Sequence, residues 1–177
     1  MENIEANNTT NTLKLVEAYD LAYKTRNMEI HLFWQRSNYF LVLNTAIITG
    51  ITLKLGAADP LGAIFIAFGG FVSFLWYKVN LGSKFWQSRW EQRLHDIEKE
   101  ISPNPKLFST DLEGIIEDVR KSMKIEGKGW WYKFINKKTL KKPSVSRHMI
   151  SLSIGFMLLY IALFIIWLMN IGKNNVV

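Results

Sequence analysis

The sequence predicts an all-α membrane protein with three transmembrane helices and long cytoplasmic helical extensions, and three observations carry that prediction. Three windows, Ser37 to Leu53, Pro60 to Tyr77 and His148 to Gly172, hold almost no charge, while nearly all of the 22 Lys and Arg lie outside them. The last window contains MISLSIGFMLLYIALFIIWLMNI, long enough to span a hydrocarbon core of about 30 Å. From Pro60 to Ile101 no second proline interrupts an apolar half followed by a charged half. That stretch predicts one continuous helix that crosses the bilayer and projects roughly 35 Å into water, at about 1.5 Å per residue. Average composition, 49% hydrophobic and 14% aromatic, would also suit an ordinary globular domain; the segregation of charge decides against it.

In chain order, residues 1–11 are rich in Asn and Thr and are expected to be disordered. Residues 12–36 predict a cytoplasmic amphipathic helix, with Val16, Tyr19, Tyr23, Ile30 and Phe33 on one side. Arg26 lies in the middle of that side and Glu29 three residues on; the two either pair along the helix or reach a neighbouring subunit. FWQRSNYF, with Phe33, Trp34, Tyr39 and Phe40 around Arg36, suits a headgroup boundary, so the first span is set at residues 37–53. This span is polar for its length. Thr45, Thr49 and Thr52 share a face with Asn38, and such a stripe faces protein or water rather than lipid, as a helix interface or as the wall of an aqueous path. Interface is the plainer reading, because Thr also bonds its own helix backbone.

KLGAAD is a tight outer turn, and Pro60 opens a second span over residues 60–77 that must form a hairpin with the first. Gly69 and Ser73 make a small-xxx-small pair, a packing seam against the first span or another subunit. With Asn38, Thr45, Thr49 and Thr52 they form the expected oligomer-facing or pore-lining set. Residues 78–147 form a cytoplasmic helical region. Its first helix carries Trp86, Trp90, Leu94, Ile97 and Ile101 as a seam, expected to be covered by the N-terminal helix; Arg26, Glu29, Trp86, Trp90 and Leu94 are the expected cytoplasmic packing residues. SPNPK ends that helix. Thr110 with Glu113 makes a capping box for a helix with an apolar face of Leu112, Ile115, Ile116, Val119 and Met123, expected to pack on the preceding pair. WWYKFINKKTLKK follows. Trp130 and Trp131 ahead of Lys137, Lys138, Lys141 and Lys142 suggest a segment at the lipid interface, the alternative being a soluble turn packed on the helices. Pro143 permits a sharp re-entry, with Ser144 or Ser146 available as N-cap, and residues 148–172 form the third span.

Between Lys78 and Arg147 there are 16 Lys and Arg against 9 Asp and Glu, so this connection is assigned to the cytoplasm, with the N-terminus inside and the C-terminus outside. Lysines flanking spans need only anionic headgroups as partners, which disfavours nucleic acid. Cys is absent, which excludes disulfides, a thiol nucleophile and Cys metal sites. The polar N-terminus lacks the order of a cleaved signal peptide. His31, His95 and His148 lie far apart and form no ligand pair; GxxxxGK[ST], GxGxxG and GxSxG motifs are missing, and no charge lies at mid-depth in a span. No catalytic residue, metal or cofactor is therefore expected, and the chain is expected not to be an enzyme.

The run RNMEIHLFWQRSNYF from Arg26, the outer turn, the helix NLGSKFWQSRWEQRLHDIEKEI from Asn80, and PSVSRHMISLS before the third span resemble the small bacterial inner-membrane proteins called the RipA family octameric membrane proteins. The resemblance implies a homo-oligomeric ring in the inner (cytoplasmic) membrane, an octamer, with no settled biochemical activity. Expected partners are copies of itself and membrane lipids, with a further protein partner left open and nucleic acid excluded. The expected function is a pore- or channel-like assembly or an envelope scaffold; the alternative is a membrane-anchored sensor or partner-recruiting subunit acting through its cytoplasmic helices.

Overall fold

A computed structural model describes residues 2–53, 60–101, 107–122, 130–140 and 144–174. Among the described residues the regular structure is entirely helical: α1 (Glu2–Thr52), α2 (Pro60–Ile101), α3 (Leu112–Ser122), α4 (Trp130–Thr139) and α5 (Val145–Asn174). The outer turn KLGAAD, the SPNPK break and the Lys141–Pro143 re-entry lie outside the described residues.

In α1, positions 16, 19, 23, 26, 30, 33, 37, 40, 44, 47 and 51 step alternately by three and four, and Phe33, Ser37, Asn44, Ile47 and Ile51 on that line are buried. In α2 the same stepping runs through 66, 69, 73, 76, 80, 83, 87, 90 and 94, where Ile66, Ser73, Trp76, Asn80, Ser83, Gln87 and Leu94 are buried. An alternating 3–4 spacing holds one face of a helix against a partner along its length. It explains why neither helix breaks where its composition changes. Helix is present from Glu2, upstream of Thr12 and through the Asn/Thr-rich segment expected to be disordered. Extending a helix that already exists fixes one residue per added hydrogen bond, so a polar, proline-free leader can follow it.

The chain divides into two compact units, one of Met1–Met28 with Gln87–Val145, the other of Glu29–Trp86 with Ser146–Val177. The second unit is a three-helix bundle. The α1 and α2 segments run antiparallel, as the Phe40–Trp76 ring stack (6.1 Å) and the Asn44–Ser73 hydrogen bond require, and α5 packs on both. Its core is Ile47, Ile51, Ile66, Val72 and Tyr160, flanked by Phe40, Ile48, Phe156, Leu163 and Trp167.

The first unit holds the remaining parts of α1 and α2 with α3 and α4. At the start of α3, Asp111 Oδ1 accepts from the Gly114 amide at 2.9 Å, and the Asp111 carbonyl takes the Ile115 amide. Asp serves as an N-cap as well as Thr does, and its position one residue later sets where the helix begins. Leu112 starts the helix, with Glu113 in the first turn and Arg120 and Lys121 in the last, each on the favourable end of the helix dipole. α5 begins at Val145, which leaves Ser144, of the two serines considered, in the cap position.

Among the described residues two helices are long and apolar enough to cross a membrane, α2 and α5 over Val145–Gly172. Residues 37–52 of α1 do not qualify, because Asn38, Asn44, Thr45, Thr49 and Thr52 dilute the apolar run.

Candidate functional site

The polar residues of the three-helix bundle separate into an inward and an outward set. Inward, Asn44 and Ser73 are fully buried, and the Ser73 hydroxyl lies 2.9 Å from Asn44 Oδ1 and 2.9 Å from the Gly69 carbonyl, so its one proton serves both acceptors. Asn44 Nδ2 donates to the Phe40 carbonyl at 2.8 Å, and the Tyr160 hydroxyl reaches the Asn44 carbonyl at 3.4 Å. All three helices therefore meet at Asn44. Nearer the Arg36 end, Asn80 Nδ2 donates to the Met149 carbonyl at 3.2 Å and Arg36 Nη1 to Ser83 Oγ at 3.4 Å. In an apolar surrounding each such bond matters because the alternative is an unpaired polar group.

Gly69 is the close-approach point of the bundle: the Tyr160 ring occupies the place a Cβ would take. Gly69 and Ser73 are consequently inside the protomer, against α5 and α1, and the seam they make is spent within one chain. Ser73 thus meets the first span, one of the two options for this pair, whereas Gly69 meets α5, which neither option named; both are buried within the protomer.

Outward, Asn38, Thr45, Thr49 and Thr52 are all exposed on one side of α1. Their position on one stripe follows the sequence reading, but the hydroxyls point back into their own helix. Thr45 donates to the Leu41 carbonyl at 2.9 Å, Thr49 to Thr45 at 2.9 Å and Thr52 to Thr49 at 2.8 Å. A threonine bonded in this way turns its methyl group outward. The stripe is thus chemically closer to alanine and valine than its sequence suggests. Across the bundle, α2 and α5 enclose an apolar groove of about 400 Å³ between Ile66, Ala67 and Gly70 on one side and Tyr160, Ile161 and Phe164 on the other.

In the first unit the fixed point is Phe108, which periodicity could not have found because it lies in a connection. Three consecutive amides, Leu107, Phe108 and Ser109, donate to the Glu98 carboxylate at 2.7, 2.8 and 2.7 Å. His95 Nδ1 lies 3.1 Å from the Phe108 carbonyl, so that nitrogen carries the hydrogen. The Phe108 ring meets Tyr19 and Tyr23 edge-on at 6.4 and 6.5 Å, and the Arg26 guanidinium lies 5.4 Å from its centroid. Burial pushes the Glu98 carboxyl up, but the amide donors of Phe108, Leu107 and Ser109 together outweigh it and hold the group below the usual carboxylate range. Tyr19 is pushed up by burial first, then by the negative charge of Glu98 and by Tyr23.

The Arg26–Glu29 pair does not form. Arg26 lies 3.5 Å from Glu91, and Glu29 is 4.0 Å from Arg36. Arg26 thus turns to α2, while Glu29 turns to a residue two turns further along its own helix. Of the tryptophan seam, Leu94 is buried and Trp90 half-buried, but Trp86 is 42% exposed. The inward line of α2 uses Gln87 and Glu98 in its place. α3 buries none of its residues, so its expected packing through Leu112, Ile115, Ile116 and Val119 reduces to a shallow apolar hollow shared with Thr139 and Leu140. On α4, Trp130 and Phe134 are exposed, as are Lys137 and Lys138, and Lys138 Nζ lies 4.7 Å from the Phe134 ring centroid. The Trp131 side chain and residues Lys141 and Lys142 lie outside the described residues.

No curated protein and no solved structure is found to match the chain. The family model described as the Octameric membrane protein family (8xMP) matches residues 16–169, which takes in the buried face of α1, all of α2, the Phe108 clasp and most of α5. On that match the chain belongs to the octameric membrane protein family.

Proposed function

We propose that the protein is the protomer of a non-enzymatic octameric ring in the cytoplasmic membrane, with three spans per copy, its N-terminus in the cytoplasm and its C-terminus outside, acting as a pore- or channel-like complex or as an envelope scaffold. The observation that carries the reading is the bundle around Asn44. Residues 37–52 of α1 are too polar to be chosen as a span by composition, yet they run beside the apolar half of α2 and beside α5, and hydrogen-bond with both. A segment bonded to two membrane-crossing helices at that depth shares their layer, and its polar atoms are satisfied there. The basic excess between Lys78 and Arg147 supports the cytoplasmic side for that connection, with lipid headgroups as partners of Trp130, Lys137 and Lys138. The absence of nucleotide, hydrolase and thiol motifs supports a non-catalytic role.

Between pore and scaffold, the back-bonded threonines favour a dry contact surface over a wetted wall, since their hydroxyls are already occupied. The reconstituted octamer is therefore expected to show no conductance under varied pH, voltage and tension; reproducible unitary currents would establish the pore. The second reading, a partner-recruiting subunit, rests on α3, whose apolar face is unburied. It predicts co-purification of a stoichiometric non-self protein that is lost on Ile115→Asp.

A further inference from the structure

Resting on the octameric ring proposed above, we infer that neighbouring protomers join by seating the outer edge of α1 from one copy in the α2/α5 groove of the next. A closed ring of identical chains uses a heterologous contact, so each copy must carry two different complementary faces. The bundle has both, on opposite sides. Asn44, Ile47 and Ile51 turn one side of α1 into the core, which leaves Val42, Thr45, Ala46, Thr49 and Leu53 on its far side, all exposed, with Val42 at 70% and Leu53 at 80%. The groove is lined by α2 and α5 alone, away from α1.

Depth supplies the second constraint. Rotation about the bilayer normal carries every residue to the same depth in the next copy, so the two faces must be level. They are. The Tyr160 hydroxyl bonds at Asn44, and Phe40 and Phe156 both pack on Trp76. These pairs bring Thr45 to the level of Ile161 and Thr49 to the level of Ile165, both of which line the groove.

Chemistry supplies the third. The middle of the α1 edge is small, Thr45, Ala46 and Thr49, and its hydroxyls are bonded inward, so it offers methyl groups at low relief. The groove is walled by Ile161, Phe164 and Ile165 and is almost wholly apolar. Small residues on one helix under bulky side chains of another permit the close backbone approach on which helix association in lipid depends. The family's octameric description puts copies of this chain, rather than lipid alone, beside one another in the bilayer.

The chain contains no cysteine, so each introduced thiol can be assigned without ambiguity. Two double variants, Thr49→Cys with Ile165→Cys and Thr45→Cys with Ile161→Cys, are to be oxidised in native membranes and run on denaturing gels. A disulfide requires the Cα atoms to come within about 7 Å. The expected result is a ladder from dimer upward for at least one pair, absent from each single variant and from Thr49→Cys with Phe71→Cys. If native mass spectrometry shows intact octamers and neither pair cross-links, the inference is overturned while the octameric reading stands. Octamers that retain acyl lipid in place of a cross-link assign the groove to lipid and overturn it equally. A chain that is monomeric in native membranes, before any oxidation, would overturn the octameric reading itself and this contact with it.

Discussion

Single atoms decide what holds each unit together, and two residues give separable tests. Gly69 has no room for a side chain because the Tyr160 ring lies over it, so Gly69→Ala must push the ring aside and loosen its hydroxyl from Asn44. Overpacking of this kind costs ~1–3 kcal/mol; thermal unfolding in detergent should register it, while Gly82→Ala, with open space at its Cβ, should leave the midpoint close to wild type. Glu98 gives a pH signature. Its folded carboxyl titrates below the unfolded one, so its stabilisation is complete above the unfolded value of about 4.3 and is lost as pH falls through the lower folded value. Glu98→Gln should therefore destabilise the Leu107–Ser109 connection at pH 7, by ~1–3 kcal/mol for the amides left without their charged acceptor, and should flatten the acid limb of the stability profile. Amide exchange of residues 107–109 across pH reads both, and an unchanged acid limb would assign that limb to other groups. Neither Glu98 nor Phe108 was legible in the sequence as a pair: they lie in different segments, and a run of three amides meeting one carboxylate has no periodic signature.

At the scale of elements, length and uninterrupted apolar character made α2 and α5 readable, and alternating apolar positions gave the facing side of α1. The inward face of α2 beyond Tyr77 was harder to read. Size suggests that Trp86 and Trp90 both turn inward, whereas the heptad line begun at Ile66 buries Asn80, Ser83 and Gln87 and takes in Trp90 but not Trp86. Continuing the spacing from Ile66 finds them; ranking by hydrophobicity does not, because Asn80, Ser83 and Gln87 are polar. Asn44 was visible as a polar residue, but nothing local distinguished it from its outward neighbours, and its placement on the line through Ser37 and Ile51 became meaningful only beside Ser73. For the outward stripe, a lysine at Thr49 would carry a charge onto an exposed edge that the proposed three-span topology places in the membrane, at a cost of ~2.5–3.5 kcal/mol at mid-depth on insertion scales. Thr49→Lys is accordingly expected to dissociate the octamer on native gels, and Thr49→Val, which preserves the outward methyl, to leave it intact.

For the whole molecule, sidedness is the testable statement. Cysteine at Asn175 should react with an impermeant thiol reagent added outside intact cells, and cysteine at Lys138 should react only after the membrane is opened; the reverse pattern would invert the assigned topology. Family membership makes the chain one part of a larger object, and such an object tolerates little error in how each part closes on itself. Here the single amide at Asn44 acts as a key. If the helical hairpin slid by seven residues in one direction, Asn44 would confront Ile66; in the other, Ser73 would confront Ile51. Either slip breaks the Asn44–Ser73 hydrogen bond and sets a polar side chain against a branched aliphatic one, so one alignment of the two rods is favoured, and every copy reaches its neighbours with the same length of shaft.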